Sequence, residues 1–158
     1  KPKKSLLRID KDQVSFEITS SRDGFVRVLL LGPPPGPGPE PSLVLWYPND
    51  SAKDARIKAG QKLVLPQSNW PMMAGEPAGP EHFLVVVSAT PRHYGDLIQG
   101  SDYIFKKFVP VARLQEFAAR RAPDAPPLML GLTKDCSPSP SNPCETYGAA
   151  LFSIDVQR

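Results

Sequence analysis

VSFEITSSRDGFVRVLLL, running from Val14 to Leu31, is the stretch whose reading decides the fold class. Val14, Phe16 and Ile18 alternate with Ser15, Glu17 and Thr19, the period of a strand with one buried face. Phe25, Val26 and Val28 to Leu31 make a denser apolar run, as a more central strand requires. Asp23-Gly24 between them has hairpin-turn chemistry, because glycine takes a positive φ without strain. The expectation is a β-hairpin of these two strands, nucleating a mostly antiparallel β domain.

Upstream, Leu6, Leu7 and Ile9 read as a short edge strand within a lead-in, and Lys1, Lys3 and Lys4 as a solvated basic tail. Downstream, GPPPGPGPEPS from Gly32 to Ser42 is either a polyproline ligand for an aromatic groove or a stiff loop. Apolar runs close on both sides favour the loop. Leu43 to Tyr47 is a strand stopped by Pro48-Asn49-Asp50, and Asn49-Asp50-Ser51 matches a glycosylation acceptor. Lys62 to Leu65 is another strand, ended by Pro66, while Trp70, Met72 and Met73 read as seals over the core edge. Glu81 to Ser88 is a strand buried on both faces and a neighbour of the Phe25 strand in the sheet. One helical turn is expected between Pro91 and Gly100. Pro110 to Arg121 is the one good helix, with Pro110 at its first position and Val111, Leu114, Phe117 and Ala118 on one face. Leu151 to Val156 reads as the last strand.

These readings predict a mainly β fold: an antiparallel β-sandwich or partly open barrel with one short helix near 110–121, or else an α+β domain. Residues 1–12 form the lead-in or linker and 13–158 a single domain, with a Pro/Gly-rich loop at 32–42 and a cysteine loop at 124–146. Twenty prolines in 158 residues, where about 5% is usual, favour short strands and ordered loops over long helices. A net charge of +3 is too weak to argue for a nucleic-acid partner. No stretch approaches the roughly 18 apolar residues of a membrane span. From the polar opening of the chain the expectation is an excised domain or a mature fragment.

The residues that carry chemistry are few. Cys136 and Cys144 lie eight apart in a proline-rich segment, without the CxxC spacing or neighbouring histidines of a metal site. A catalytic thiol would need His82 or His93 beside it, and nothing in the sequence places either there. A disulfide is the expectation, worth about 2.5 kcal/mol by restricting the unfolded loop, and it implies an oxidising compartment. There is no GxSxG, HExxH, phosphate-binding or dinucleotide-binding motif. Asp10-Lys11-Asp12 begins like a calcium loop but lacks the rest of the pattern. No cofactor and no metal are expected, and the chain reads as non-catalytic.

Five phrases taken in order resemble the bacterial domain-of-unknown-function family DUF4384. They are SSRDGFVRVLLLG, LWYPND, RIKAGQKLVLP, WPMMAGEPAGPEHFLVVVSATPR and CETYGAALFSID. The family's turn, strand end, AGQ-to-LP segment and GPPG-like loop correspond to Asp23-Gly24-Phe25, Trp46-Tyr47-Pro48-Asn49, Ala59-Gly60-Gln61 through Leu65-Pro66, and Gly79-Pro80. The Tyr147-Gly148-Ala149-Ala150 ending and the paired cysteines look like proteobacterial members, whereas the insertion at Gly32 to Pro41 departs from the pattern. The resemblance implies an accessory domain, C-terminal to a membrane serine/threonine kinase or a caspase-like module, and supplies no catalytic residues. The expected function is a periplasmic sensory or protein-binding module of an envelope signalling protein. Its expected partner is a protein or a small envelope ligand. A structural or assembly domain of a secretion-associated or caspase-like protein is the alternative.

Overall fold

A computed structural model describes residues 2, 4–120, 128–133 and 147–158. The strands are β1 (Leu6–Arg8), β2 (Phe16–Ile18), β3 (Gly24–Gly32), β4 (Ser42–Tyr47), β5 (Arg56–Ile57), β6 (Leu63–Leu65), β7 (Gly79–Ser88), β8 (Arg92–His93), β9 (Ile98–Asp102), β10 (Phe105–Phe108), β11 (Leu132–Thr133) and β12 (Tyr147–Gln157). One α-helix, α1 (Val111–Ala119), and two 3-10 turns, Gly95–Leu97 and Leu128–Leu130, complete the described elements. Eight strands form one sheet in the order β1-β12-β7-β3-β4-β10-β9, with β5 on β3 beside β4. All pairs in it are antiparallel except β1 with β12, so the sheet is mixed and does not close into a barrel. The mainly β expectation with one short helix therefore holds.

The Val14 stretch carries the right faces and a different partner. Phe16 and Ile18 are buried and Glu17 is exposed, as the alternation requires. Yet β2 pairs with β6, Phe16 opposite Leu65 and Ile18 opposite Leu63, as a separate two-stranded sheet. There is no hairpin to β3, because both edges of β3 are taken, one by β7 and the other by β4 and β5. SSRDG is instead a crossover from the small layer to the large sheet. Ser20 Oγ accepts from the Arg22 N–H within it, and Asp23 Oδ1 accepts from the Ala59 N–H at 2.7 Å.

Gly24 is needed for a reason other than turn geometry. A Cβ there would sit 2.7 Å from the Ser88 carbonyl oxygen on β7, too close for any side chain. The positive φ belongs to Gly60 (+77°), whose N–H donates to Ser20 O across the same corner.

The result is a sandwich of unequal layers. Between the large sheet and the β2–β6 pair lies an aromatic core: Phe16 meets Trp46, Phe83 and Phe152 at ring separations of 5.4, 5.2 and 4.9 Å. Trp70 is 3% exposed and packs edge-on to Trp46 at 4.9 Å, so it seals the core as expected. Leu7 of β1 is buried in the same core, which makes the lead-in part of the sheet rather than a linker. A second, smaller core on the opposite face gathers Leu29, Tyr94, Leu97, Phe108 and Leu114. The last strand begins at Tyr147, four residues before the expected Leu151, and Phe105–Phe108 pairs with Ile98–Asp102 in a hairpin not among the expected strands.

Gly24→Val should lower stability by about 1–3 kcal/mol, because the clash is with backbone that a rotamer change cannot relieve. Urea unfolding followed by tryptophan fluorescence measures it; an unchanged midpoint would remove the close-approach reading.

Candidate functional site

The long strands are apolar on both faces, so the sheet must be covered twice. On the face away from β2 and β6, Leu29 and Leu31 of β3, Leu43 of β4, Leu84 of β7 and Leu151 of β12 form an aliphatic floor. α1 crosses above it, presenting Val111, Leu114 and Ala118, as its apolar spacing predicts. Pro110 occupies the N-cap rather than the first helical position. The cap interaction comes from far along the chain: Glu40 in the Pro/Gly-rich loop accepts the Val111 N–H at 2.8 Å. A carboxylate there satisfies an otherwise orphan donor and complements the helix dipole. The proline run thus joins β3 to β4 as a loop and positions the helix.

Among the described residues the covering is incomplete. Between α1, the Leu128–Met129 turn and the sheet floor runs a groove of about 440 Å³. Among the described residues its only polar lining comes from His82 and Gln115, and Leu151 at the rim is 73% exposed. His82 Nδ1 lies 2.6 Å from Ser153 Oγ, which ties the imidazole to the adjacent strand. The groove is of the size that takes a small apolar ligand or a few side chains of a partner, and its walls supply burial rather than reactive groups. Among the described residues no three His, Cys, Asp or Glu side chains converge as a metal site would need, and no helix is long and apolar enough to cross a membrane.

The residues singled out by sequence fall elsewhere. Asp23 lines a small cleft with Tyr147 and Gly148 where β7 ends and β12 begins. Gly60 is tied to that corner through Ser20, and Gly24 and Phe25 start β3 there. Pro48 follows β4, and Pro66 follows β6. Asn49 is 6% exposed, with its Nδ2 donating to Trp46 O and its Oδ1 accepting from the Ser51 N–H. That amide is committed to the turn, so the acceptor pattern is not presented by the folded chain. Asp12, the supposed start of a calcium loop, accepts from the Arg8 N–H and the Lys4 ammonium; these hold its carboxyl below the ordinary value. Cys136 and Cys144 lie outside the described residues. The sequence places Val111, Leu114 and Ala118 on one helix face but does not show the groove they line, and the continuous Val28–Leu31 run is the available signal that β3 has two covered faces.

Fold and groove together describe a β-rich domain with an apolar groove on one face of its large sheet. A family model described as "Domain of unknown function (DUF4384)" matches residues 7–91, more than half of the chain, and the chain belongs to that family. Comparison with curated proteins and with solved structures returned no match. The family match takes in the groove floor from β3, β4 and β7 and ends before α1 and β12, which roof and extend it.

Glu81, at the start of β7, is the described carboxyl most disfavoured by its surroundings, and burial raises its pKa above the ordinary 4.5. A raised folded-state value means that the cost of the buried charge is fully present at neutral pH and falls away as pH drops through that value. Asp12 and Asp54, whose values are lowered, act in the opposite sense. Glu81→Gln should therefore raise Tm at pH 7 and leave it unchanged near pH 4. Equal shifts at both pH values would remove the burial explanation.

Proposed function

We propose that this chain is a non-catalytic sensory or protein-binding module of a bacterial envelope signalling protein, working outside the cytoplasm. The expected setting is the extracytoplasmic C-terminal domain of a membrane serine/threonine kinase. The observation that carries the binding role is the open aliphatic groove between α1 and the sheet, where an apolar ligand or an apolar side-chain cluster of a partner protein would be desolvated. Burial of that kind contributes about 25 cal/mol per Å² of apolar surface, enough for recognition without charged contacts. The envelope setting is supported by the resemblance of the ordered phrases and by the reading of Cys136 and Cys144 as a disulfide.

Two measurements test the two halves. The neutral apolar dye N-phenyl-1-naphthylamine should bind the 158-residue chain with enhanced fluorescence, and Leu43→Lys or Leu84→Lys should weaken it at least tenfold. Val64→Lys, on the exposed side of the small layer, serves as control. Dye binding indifferent to the groove substitutions would sink the groove as the binding site. For the compartment, thiol titration of denatured, unreduced chain recovered from the periplasm should find no free thiol; two free thiols would remove the disulfide and with it that support.

A further inference from the structure

Among the described residues the outer edge of β12 is unpaired along most of its length. β1 covers only Asp155 to Gln157, and from Tyr147 to Ser153 no strand among the described residues pairs with that side. The direction of its backbone groups follows from the covered end. Asp155 donates its N–H to Ser5 O, and Gln157 O accepts from the Ile9 N–H, so both residues point outwards. The register with β7 runs unbroken from Tyr147 to Val156. Strand alternation then turns the N–H and C=O of Tyr147, Ala149, Leu151 and Ser153 outwards as well. Edges this long are ordinarily blunted by charge, proline or a bulge. Tyr147 to Ile154 contains no charge and no proline, and its pairing shows no bulge.

We propose that this edge is the interface with a second copy of the chain, β12 pairing antiparallel with β12 across a two-fold axis at Ala150. The sheet then runs continuously from one chain into the other. In that register Ala149 lies opposite Leu151 of the second copy and Tyr147 opposite Ser153. These are the outward-pointing residues, so every pair exchanges two hydrogen bonds and no outward group of the segment is left over. Gly148 lies opposite Phe152, and Ala150 opposite its own copy. Small residues thus face large ones on both sides of the sheet. On the aromatic-core side, Gly148 and Ala150 floor a cleft of about 360 Å³ beside Glu17 to Ser21, which leaves room for the opposed side chains. A slide of two residues towards the C-terminus would set Tyr147 against Asp155, whose outward groups β1 already holds. With no charge on the edge, self-pairing brings no like charges together. This fit of the segment to itself favours a second copy over an unrelated extended peptide.

Crosslinking reads the register directly. Opposed non-hydrogen-bonded residues hold their Cβ atoms about 4.5–5.5 Å apart. Ala150→Cys should therefore give, on mild oxidation, a covalent dimer whose peptide map joins position 150 to position 150. Gly148→Cys, opposite Phe152, should give no such self-link. Ala149→Pro removes an N–H that points away from β7, so it should convert the dimer seen by sedimentation to monomer with the near-UV circular dichroism intact. Leu151→Lys, which adds charge to the edge without touching the ladder to β7, should do the same. A wild-type chain that sediments as monomer at all concentrations would overturn the proposal. So would a self-link at position 148 as strong as that at 150, or a dimer that survives both edge substitutions.

Discussion

Phe16 sits where the two layers meet, fully buried, and its ring touches Trp46 of β4, Phe83 of β7 and Phe152 of β12. β12 and β7 are neighbours and β3 separates them from β4, so one side chain from the small layer spans the middle of the sheet. The small layer has only two short strands and could not stand by itself; a lone strand pair is marginal in water. What keeps it in place is the aromatic contact, in which ring area and edge-to-face geometry both contribute. Removing a ring of this size from a packed core costs about 3–5 kcal/mol, a large share of a typical domain's stability. Trp70 extends the cluster and binds the loop after β6 to it.

Among the described residues the opposite face is covered less completely, and the proposed binding role rests on that difference. On the aromatic side the layers interdigitate, whereas α1 contributes one well-buried residue, Leu114, and leaves aliphatic surface beside it. The helix is attached through the Glu40 carboxylate of the proline-rich loop and a modest apolar contact. Insertion loop and helix are thus joined through Glu40 beside the groove, whose floor strands β3, β4 and β7 lie within the family match.

Much of the fold was legible because burial leaves a period. Val14, Phe16 and Ile18 announced an inward face, and the apolar block at Phe83 to Val87 announced a central strand. Pairing was less legible, since alternation says which face is buried but not which strand lies alongside. Asp23-Gly24 has the residue types of a tight turn, and only the occupied edges of β3 show why no hairpin forms there. The β9–β10 hairpin was hidden because Lys106 and Lys107 interrupt alternation at a register shift, leaving only Phe105 and Phe108 buried. Tyr147 to Ala150 lacks the β-branched residues that mark a strand. The groove was invisible for a different reason: its leucines come from segments as distant as Leu29 and Leu151, and only the sheet order makes them neighbours.

The pairing of β1 with β12 fixes the order in which the domain can be finished. Residues 6–8 lie beside residues 155–157, so a strand made first waits for one made last. Until β12 arrives, β1 has no strand to pair with, the outer edge of β7 is bare, and Phe16 lacks the Phe152 ring. Closure therefore depends on contacts spanning nearly the whole chain, the topology for which loop entropy makes folding slow. A growing chain halted before Leu151 would hold both tryptophans yet expose its most apolar strand edge, the kind of intermediate that chaperones exist to shield.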